Sequence, residues 1–267
     1  MTKRRLRRIF RADGRTLIVA CDHGMISGPD RGIERLGDTL QRVIAGGVDA
    51  VMASYGTASR FEDLLAGVGL VLRIDGAGTV LGSMDGPGAQ FYTVEDALRL
   101  GADALCVTAF PGSRHEEATL EVLARVIRQA HEWGLPVMAE MVPGGFDSGP
   151  EFRTLHSVSV AARVAAELGA DWVKTSYAPG FEQVVATCYV PVVVLGGPGQ
   201  ADPRVTLEMV RASMDAGASG ATVGRNIWKA EDPQGMAAAL RAIIHEDATV
   251  EDALAQVRHP ASVETDV

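Results

Sequence analysis

The chain has 267 residues, 47% apolar and 22% charged, with a formal net charge of −9. That suits one large α/β domain or two small ones, and argues against nucleic acid or an anionic membrane as a partner. No secretory leader or membrane-spanning run is recognisable, and three widely spaced cysteines, Cys21, Cys106 and Cys188, read as reduced thiols of a cytoplasmic protein.

The first element is a basic run, KRRLRRIFR over Lys3–Arg11, expected to be a solvated or oligomer-contacting arm within residues 1–14. Short apolar, β-branched runs then recur along the chain. They are Leu17–Cys21, Asp49–Ala53, Leu70–Ile74, Asp103–Val107, Pro136–Glu140, Asp171–Thr175, Pro191–Leu195 and Ser219–Val223. Most are continuously apolar, which fits parallel strands covered on both faces. Between them fall helical patterns. Thr119–Trp133 sets Leu120, Leu123, Val126, Ile127 and Ala130 on one face, and Thr154–Leu168 and Asp202–Ala216 are similar. Asp232 and Pro233 open the last helix as cap and first-turn proline. Residues 247–267 read as a short polar tail with a final helix over Val250–Val257.

GGVDA, GADAL, GADWV and GASGA each precede a strand, and each reads as a helix C-cap glycine feeding a strand start. Eight βα units in this length predict a single-domain TIM (β/α)8 barrel over 1–267, with an open doubly wound sheet as the rival.

Barrel active sites lie at the C-terminal ends of the strands. In order, those ends carry Asp22 and His23, Ser54 and Tyr55, Asp75, Thr108, Glu140, then Lys174, Thr175, Ser176 and Tyr177. The seventh run leads into GGPG, with Gly196 and Gly197, and the eighth into GRN, with Gly224 and Arg225. Glycines there let backbone amides approach a ligand, so this corner is a candidate phosphate site. Lys174 stands in an otherwise apolar strand. Burial disfavours an ammonium and can make such a lysine a nucleophile able to form a Schiff base. The plainer reading pairs it with Asp22 or Glu140, or gives it a phosphate to bind. Asp22 leads as acid/base partner, with a loop or cap role as the alternative. No metal-ligand spacing, G-x-S-x-G or G-x-G-x-x-G occurs, so no metal or dinucleotide cofactor is expected.

ACDHGMISGPDRGIER (Ala20–Arg35), WVKTSY with GFEQVV (Trp172–Val185), PVVVLGGP (Pro191–Pro198) and GASGATVGRNIW (Gly217–Trp228) together resemble the archaeal-type class I aldolase family. That family contains fructose-bisphosphate aldolases, aminodideoxyheptulosonate synthases and the autoinducer-2 processing thiolase. The resemblance covers nearly the whole chain. It implies a Schiff-base lysine at Lys174, an acid/base aspartate at Asp22, phosphate loops at Gly196, Gly197, Gly224 and Arg225, and a large homo-oligomer, often a decamer. One departure stands out. Many family members carry a tyrosine proton donor followed by Pro-Arg-Gly after the fifth strand. Here MVPGG puts Val142 and Gly144 in the places of the tyrosine and arginine. Glu140, His23, His156 and Tyr177 are the candidate replacements.

The first functional reading is a Schiff-base aldolase for a phosphorylated ketose or dihydroxyacetone phosphate. The second keeps the lysine in a thiolase-like acyl transferase or specialised synthase, a branch whose lysine region this chain resembles. The third is a non-catalytic sensor of a phosphorylated ligand.

Overall fold

Eight short parallel strands close into a barrel in the computed structural model, which describes residues 4–76, 78–82, 84 and 86–257. They are β1 (Thr16–Ala20), β2 (Ala50–Ala53), β3 (Gly69–Arg73), β4 (Ala104–Ala109), β5 (Val137–Met141), β6 (Trp172–Thr175), β7 (Val192–Leu195) and β8 (Gly220–Val223). Each pairs with its sequence neighbours, and β8 closes on β1. All eight fall on the expected apolar runs, and the closed order excludes the doubly wound alternative. The architecture is the TIM barrel.

The longer helices between and after them are α1 (Leu36–Ala45), α2 (Tyr55–Arg60), α3 (Val94–Arg99), α4 (Glu116–Glu132), α5 (Leu155–Glu167), α6 (Phe181–Thr187), α7 (Pro203–Asp215) and α8 (Pro233–Glu246). Thr154, Asp202 and Asp232 cap α5, α7 and α8 with side-chain bonds to backbone N–H groups. Helix α4 starts three residues before the expected Thr119. That hydroxyl bonds back to the carbonyls of His115 and Glu116, so Thr119 lies inside the first turn, behind the acidic pair Glu116 and Glu117. The final helix is shorter than expected, Val250–Leu254. Lys3 and residues 258–267 of the expected arm and tail lie outside the described residues.

The glycine–strand junctions have a physical basis. Gly47, Gly101, Gly169 and Gly217 take φ of +87°, +71°, +96° and +91°, the left-handed turn that ends a helix. Three of the motifs also carry an aspartate. Asp49 accepts from the Leu17 N–H at 2.6 Å, Asp103 from Leu70 at 3.0 Å, and Asp171 from Val137 at 2.8 Å. Each carboxylate therefore takes up an N–H at or beside the start of the preceding strand, which would otherwise be orphaned at the barrel's lower rim.

In the basic arm Arg4, Arg7, Arg8 and Arg11 are exposed, as expected of a solvated run, while its apolar residues pack inward. Its short 3-10 helix (Arg4–Arg8) lies across the bottom of the barrel. Ile9 is fully buried among the inward-facing strand residues, with Leu6 and Phe10 packed on the same cluster. Phe10 meets Trp172 edge-on at 5.6 Å. Interleaved arginines bond to the rim: Arg5 to the Ala102 carbonyl, Arg8 to that of Val68 and to Asp103, and Arg11 to Asp49. The charge run is the polar edge of an apolar plug. No helix among the described residues is long and apolar enough to cross a membrane.

Candidate active site

Strand side chains alternate in direction, so residues two apart share the barrel interior. The interior floor is apolar: Ile18, Met52, Val71, Cys106, Met138, Trp172 and Val193. Two residues further along β3, β4, β5 and β6 stand Arg73, Thr108, Glu140 and Lys174, all buried. Strand register sets Thr108 beside Glu140 and Glu140 beside Lys174. The same parity along β1 and past β3 brings in Asp22 and Asp75, each about 5% exposed or less.

These groups form one network. Lys174 Nζ lies 2.5 Å from Glu140 Oε1. The other Glu140 oxygen accepts from Arg73 and, at 3.1 Å, from the Thr108 hydroxyl. Arg73 also pairs with Asp22 through Nε and with Asp75 through Nη1 at 3.0 Å. The Thr108 backbone N–H donates to the second Asp75 oxygen at 2.7 Å.

Burial alone would push all three acids up, and their partners decide the outcome. Around Glu140, burial is outweighed by the Lys174 ammonium and the Arg73 guanidinium, which bring its pKa down to about 2. For Asp22, burial is outweighed by Arg73, helped by His23 and Lys174, and the carboxyl is held well below the usual range. Asp75 goes the other way, because burial exceeds the pull of Arg73 and of the Thr108 N–H. With three acids and two cations in the cluster, Asp75 is the acid least favoured as an anion.

The network floors a cavity of about 610 Å³ at the C-terminal mouth of the barrel, in the range of a small-molecule site. Gly196, Gly197, Gly224 and Arg225 all line it. Arg225 donates to the Gly197 carbonyl at 3.1 Å, and Asn226 bonds the Gly196 carbonyl and the Gln200 N–H, so the β7 and β8 loops are tied together. Gly224 opens a short helix (Arg225–Trp228). A Cβ there would lie 2.6 Å from the His23 ring and 2.8 Å from the Ala20 carbonyl. Arg225 Nε is buried without a hydrogen-bond partner beside the same loop.

Of the other candidates, His23 and Tyr177 line the cavity, with His23 Nδ1 3.5 Å from Asp22 and Tyr177 tilted against Phe181. His156 does not: it is exposed in the first turn of α5, outside the cavity lining. Val142 also lines the cavity. Gly144 has φ +76°, and a Cβ there would strike Phe152 at 2.4 Å. Arg153 braces this turn through the Pro143 and Gly145 carbonyls.

The family model for DeoC/LacD family aldolases matches residues 16–230. The chain belongs to that family. The aldolase is 36% identical over 255 residues to a 2-amino-3,7-dideoxy-D-threo-hept-6-ulosonate synthase from Halobacterium salinarum, covering 94% of each chain. It is 35% identical over 252 residues to a 3-hydroxy-5-phosphonooxypentane-2,4-dione thiolase from Yersinia enterocolitica, covering 93% of this chain and 84% of the relative. Among solved structures it is similar to an archaeal fructose-1,6-bisphosphate aldolase whose catalytic lysine is covalently bound to a carbinolamine intermediate. That likeness has a TM-score of 0.80 at 33% identity, over 91% of this chain and 98% of the other. The aldolase is thus a carbon–carbon lyase of the Schiff-base class.

Sequence reasoning missed Arg73, the most connected side chain of the site. Its signal was the one that singled out Lys174, a cation inside an apolar run (LVLRI). It also missed Asn226, which fastens the two glycine loops.

Proposed function

We propose that the chain is a Schiff-base aldolase for a phosphorylated ketose or dihydroxyacetone phosphate, with Lys174 as nucleophile. The carrying observation is the buried Lys174 ammonium 2.5 Å from Glu140 at the floor of a cavity rimmed by the β7 and β8 glycine loops. Glu140 takes the proton that Lys174 must lose. It does so more readily as the lysine neutralises, because the ammonium is the strongest influence holding its pKa down. The amine adds to the ketone carbon, the former carbonyl oxygen leaves as water, and a protonated imine remains. Loss of a proton from the hydroxyl on the far carbon breaks the adjacent C–C bond. Its electron pair enters the imine as an enamine, and the aldehyde departs. Protonation of the enamine and hydrolysis by water then release the second product.

Asp22, kept ionised by Arg73, stabilises the cationic imine and receives the hydroxyl proton as the charge around it redistributes. The backbone amides of Gly196, Gly197, Gly224 and Arg225, with the unpartnered Arg225 Nε, hold the phosphate and align the carbonyl. Borohydride reduction in the presence of dihydroxyacetone phosphate, followed by peptide mass spectrometry, tests this reading. A stable adduct on Lys174 is expected. No adduct on any lysine with dihydroxyacetone phosphate, pyruvate or hexose phosphates would overturn it.

Val142 supports a second reading, an acyl transferase or specialised synthase using the same lysine, since a valine cannot transfer a proton. Parallel assays with a diphosphorylated ketose, with dihydroxyacetone phosphate plus aldehydes, and with a diketone phosphate plus a thiol separate the two. A cytoplasmic homo-oligomer remains part of the proposal, to be read by light scattering.

A further inference from the structure

We propose that Arg73 is the positioning residue of this site, the fixed guanidinium that fastens the carboxylates of Asp22 and Glu140 on its two sides, next to Lys174. This deepens the Schiff-base reading and rests on it. A guanidinium has five N–H donors, and here each has an acceptor inside the protein. Nε meets Asp22, Nη1 meets Asp75 and the Thr108 hydroxyl, and Nη2 meets Glu140 and, at 3.9 Å, the Met52 sulfur. Nothing is left over for a substrate, and Arg73 is about 7% exposed. It is therefore no phosphate clamp. Its planar fork instead fixes where the carboxylates of β1 and β5 stand, as a flexible ammonium would not.

The groups around it define its electrostatic task. Asp22 faces it from the end of β1, Met52 from β2, Asp75 from beyond β3, Cys106 and Thr108 from β4, and Glu140 from β5. Lys174, from β6, reaches it through Glu140. Burial pushes the Cys106 thiol well up, so it stays neutral. Arg73 itself stays charged: burial opposes its charge, and the surrounding acids overcome that, raising its pKa well above the ordinary value. During addition to a ketone, Lys174 passes from ammonium to neutral amine and back to a cationic imine. Across the neutral stage Arg73 is the cation left among Asp22, Asp75 and Glu140. Without it the carboxylates bind protons more tightly, and the pH range in which Glu140 is free to act as a base shrinks from the acid side.

The test is the pH dependence of borohydride-trapped adduct formation with dihydroxyacetone phosphate, in the wild type, Arg73→Lys and Arg73→Gln. A fourth protein, Arg73→Gln with Asp75→Asn, removes one acid along with the cation and keeps the cluster's charge balance if the single variant fails to fold. Far-UV circular dichroism and melting check folding. In Arg73→Gln, or in the paired variant, the acid limb moves up by about one pH unit or more, and at a pH on the wild-type limb adduct formation falls about tenfold. Arg73→Lys keeps the charge and returns the acid limb towards its wild-type position, while the rate stays below wild type because the fork is lost. An unchanged acid limb in a folded variant lacking the guanidinium would overturn the assignment, because a merely structural role lowers the melting temperature without moving that limb. A wild type that forms no adduct fails the underlying Schiff-base reading instead, so the two failures are distinguishable.

Discussion

Lys174 and Glu140 constrain each other, since neither can change charge without altering the other's affinity for a proton. Replacing Lys174 with Met keeps the length of the side chain and removes the amine. Turnover and the trapped adduct are expected to vanish, while calorimetry still detects dihydroxyacetone phosphate. Loss of that binding in a folded Lys174→Met protein would count against separate chemical and phosphate roles. Glu140→Gln removes the proton acceptor, and a drop of about 10²–10⁴ in kcat is expected in a steady-state assay. Glu140 has a second, measurable consequence. Its folded pKa is depressed, so the stability it contributes is complete above pH 4.5 and lost as the pH falls towards about 2. A shift of this size corresponds to about 3 kcal/mol. The melting-temperature gap between wild type and Glu140→Gln should therefore narrow in acid. Both residues were legible in the sequence as polar groups at the ends of apolar runs. Arg73 was equally visible, but its meaning depends on five acceptors, four of them brought in from other strands and loops, which no linear spacing displays.

Among the elements, strands and helix faces were the most readable, because their periodicities follow from local geometry. Helix starts were less so. Thr119 looked like a beginning because the apolar stripe starts beside it, whereas Glu116 and Glu117 form the first turn. The β8 loop offers a prediction at this scale. Gly224→Ala sets a methyl 2.6 Å from the His23 ring and 2.8 Å from the Ala20 carbonyl. The backbone cannot yield as a flexible side chain could, so the loop must shift, at a cost of about 1–3 kcal/mol. The expected result is a lower melting temperature together with weaker binding of dihydroxyacetone phosphate by calorimetry. Unchanged phosphate affinity alongside lost stability would show that the loop is structural and binds nothing.

At the scale of the whole molecule, the candidate site and the stabilising floor occupy opposite ends of the barrel. The lower end is closed by Ile9 and its neighbours, and the last long helix is pinned to it by His245. That ring bonds Asp13 through Nδ1 at 2.7 Å and Asp49 through Nε2 at 2.8 Å. Two carboxylates on both nitrogens favour the imidazolium. Burial opposes the charge, but the two acids prevail and raise the pKa above 6.5. The stability involved is fully present below pH 6.5 and fades as the pH rises through the folded value. Melting of wild type against His245→Asn should show a wide gap near about pH 6 that shrinks by about pH 9. A gap independent of pH would mean that the ring contributes only packing.

The sequence by itself determined the eight-unit barrel, the end of it that holds the candidate site, and the lysine to suspect, because strand parity, cap glycines and a cation in an apolar run are all local signals. Only the tertiary structure decided which acid meets that lysine, that His156 lies outside the cavity, that the basic arm plugs the floor, and that Arg73 joins the carboxylates. These are matters of register and closure, in which residues tens of positions apart become neighbours only when the eighth strand meets the first.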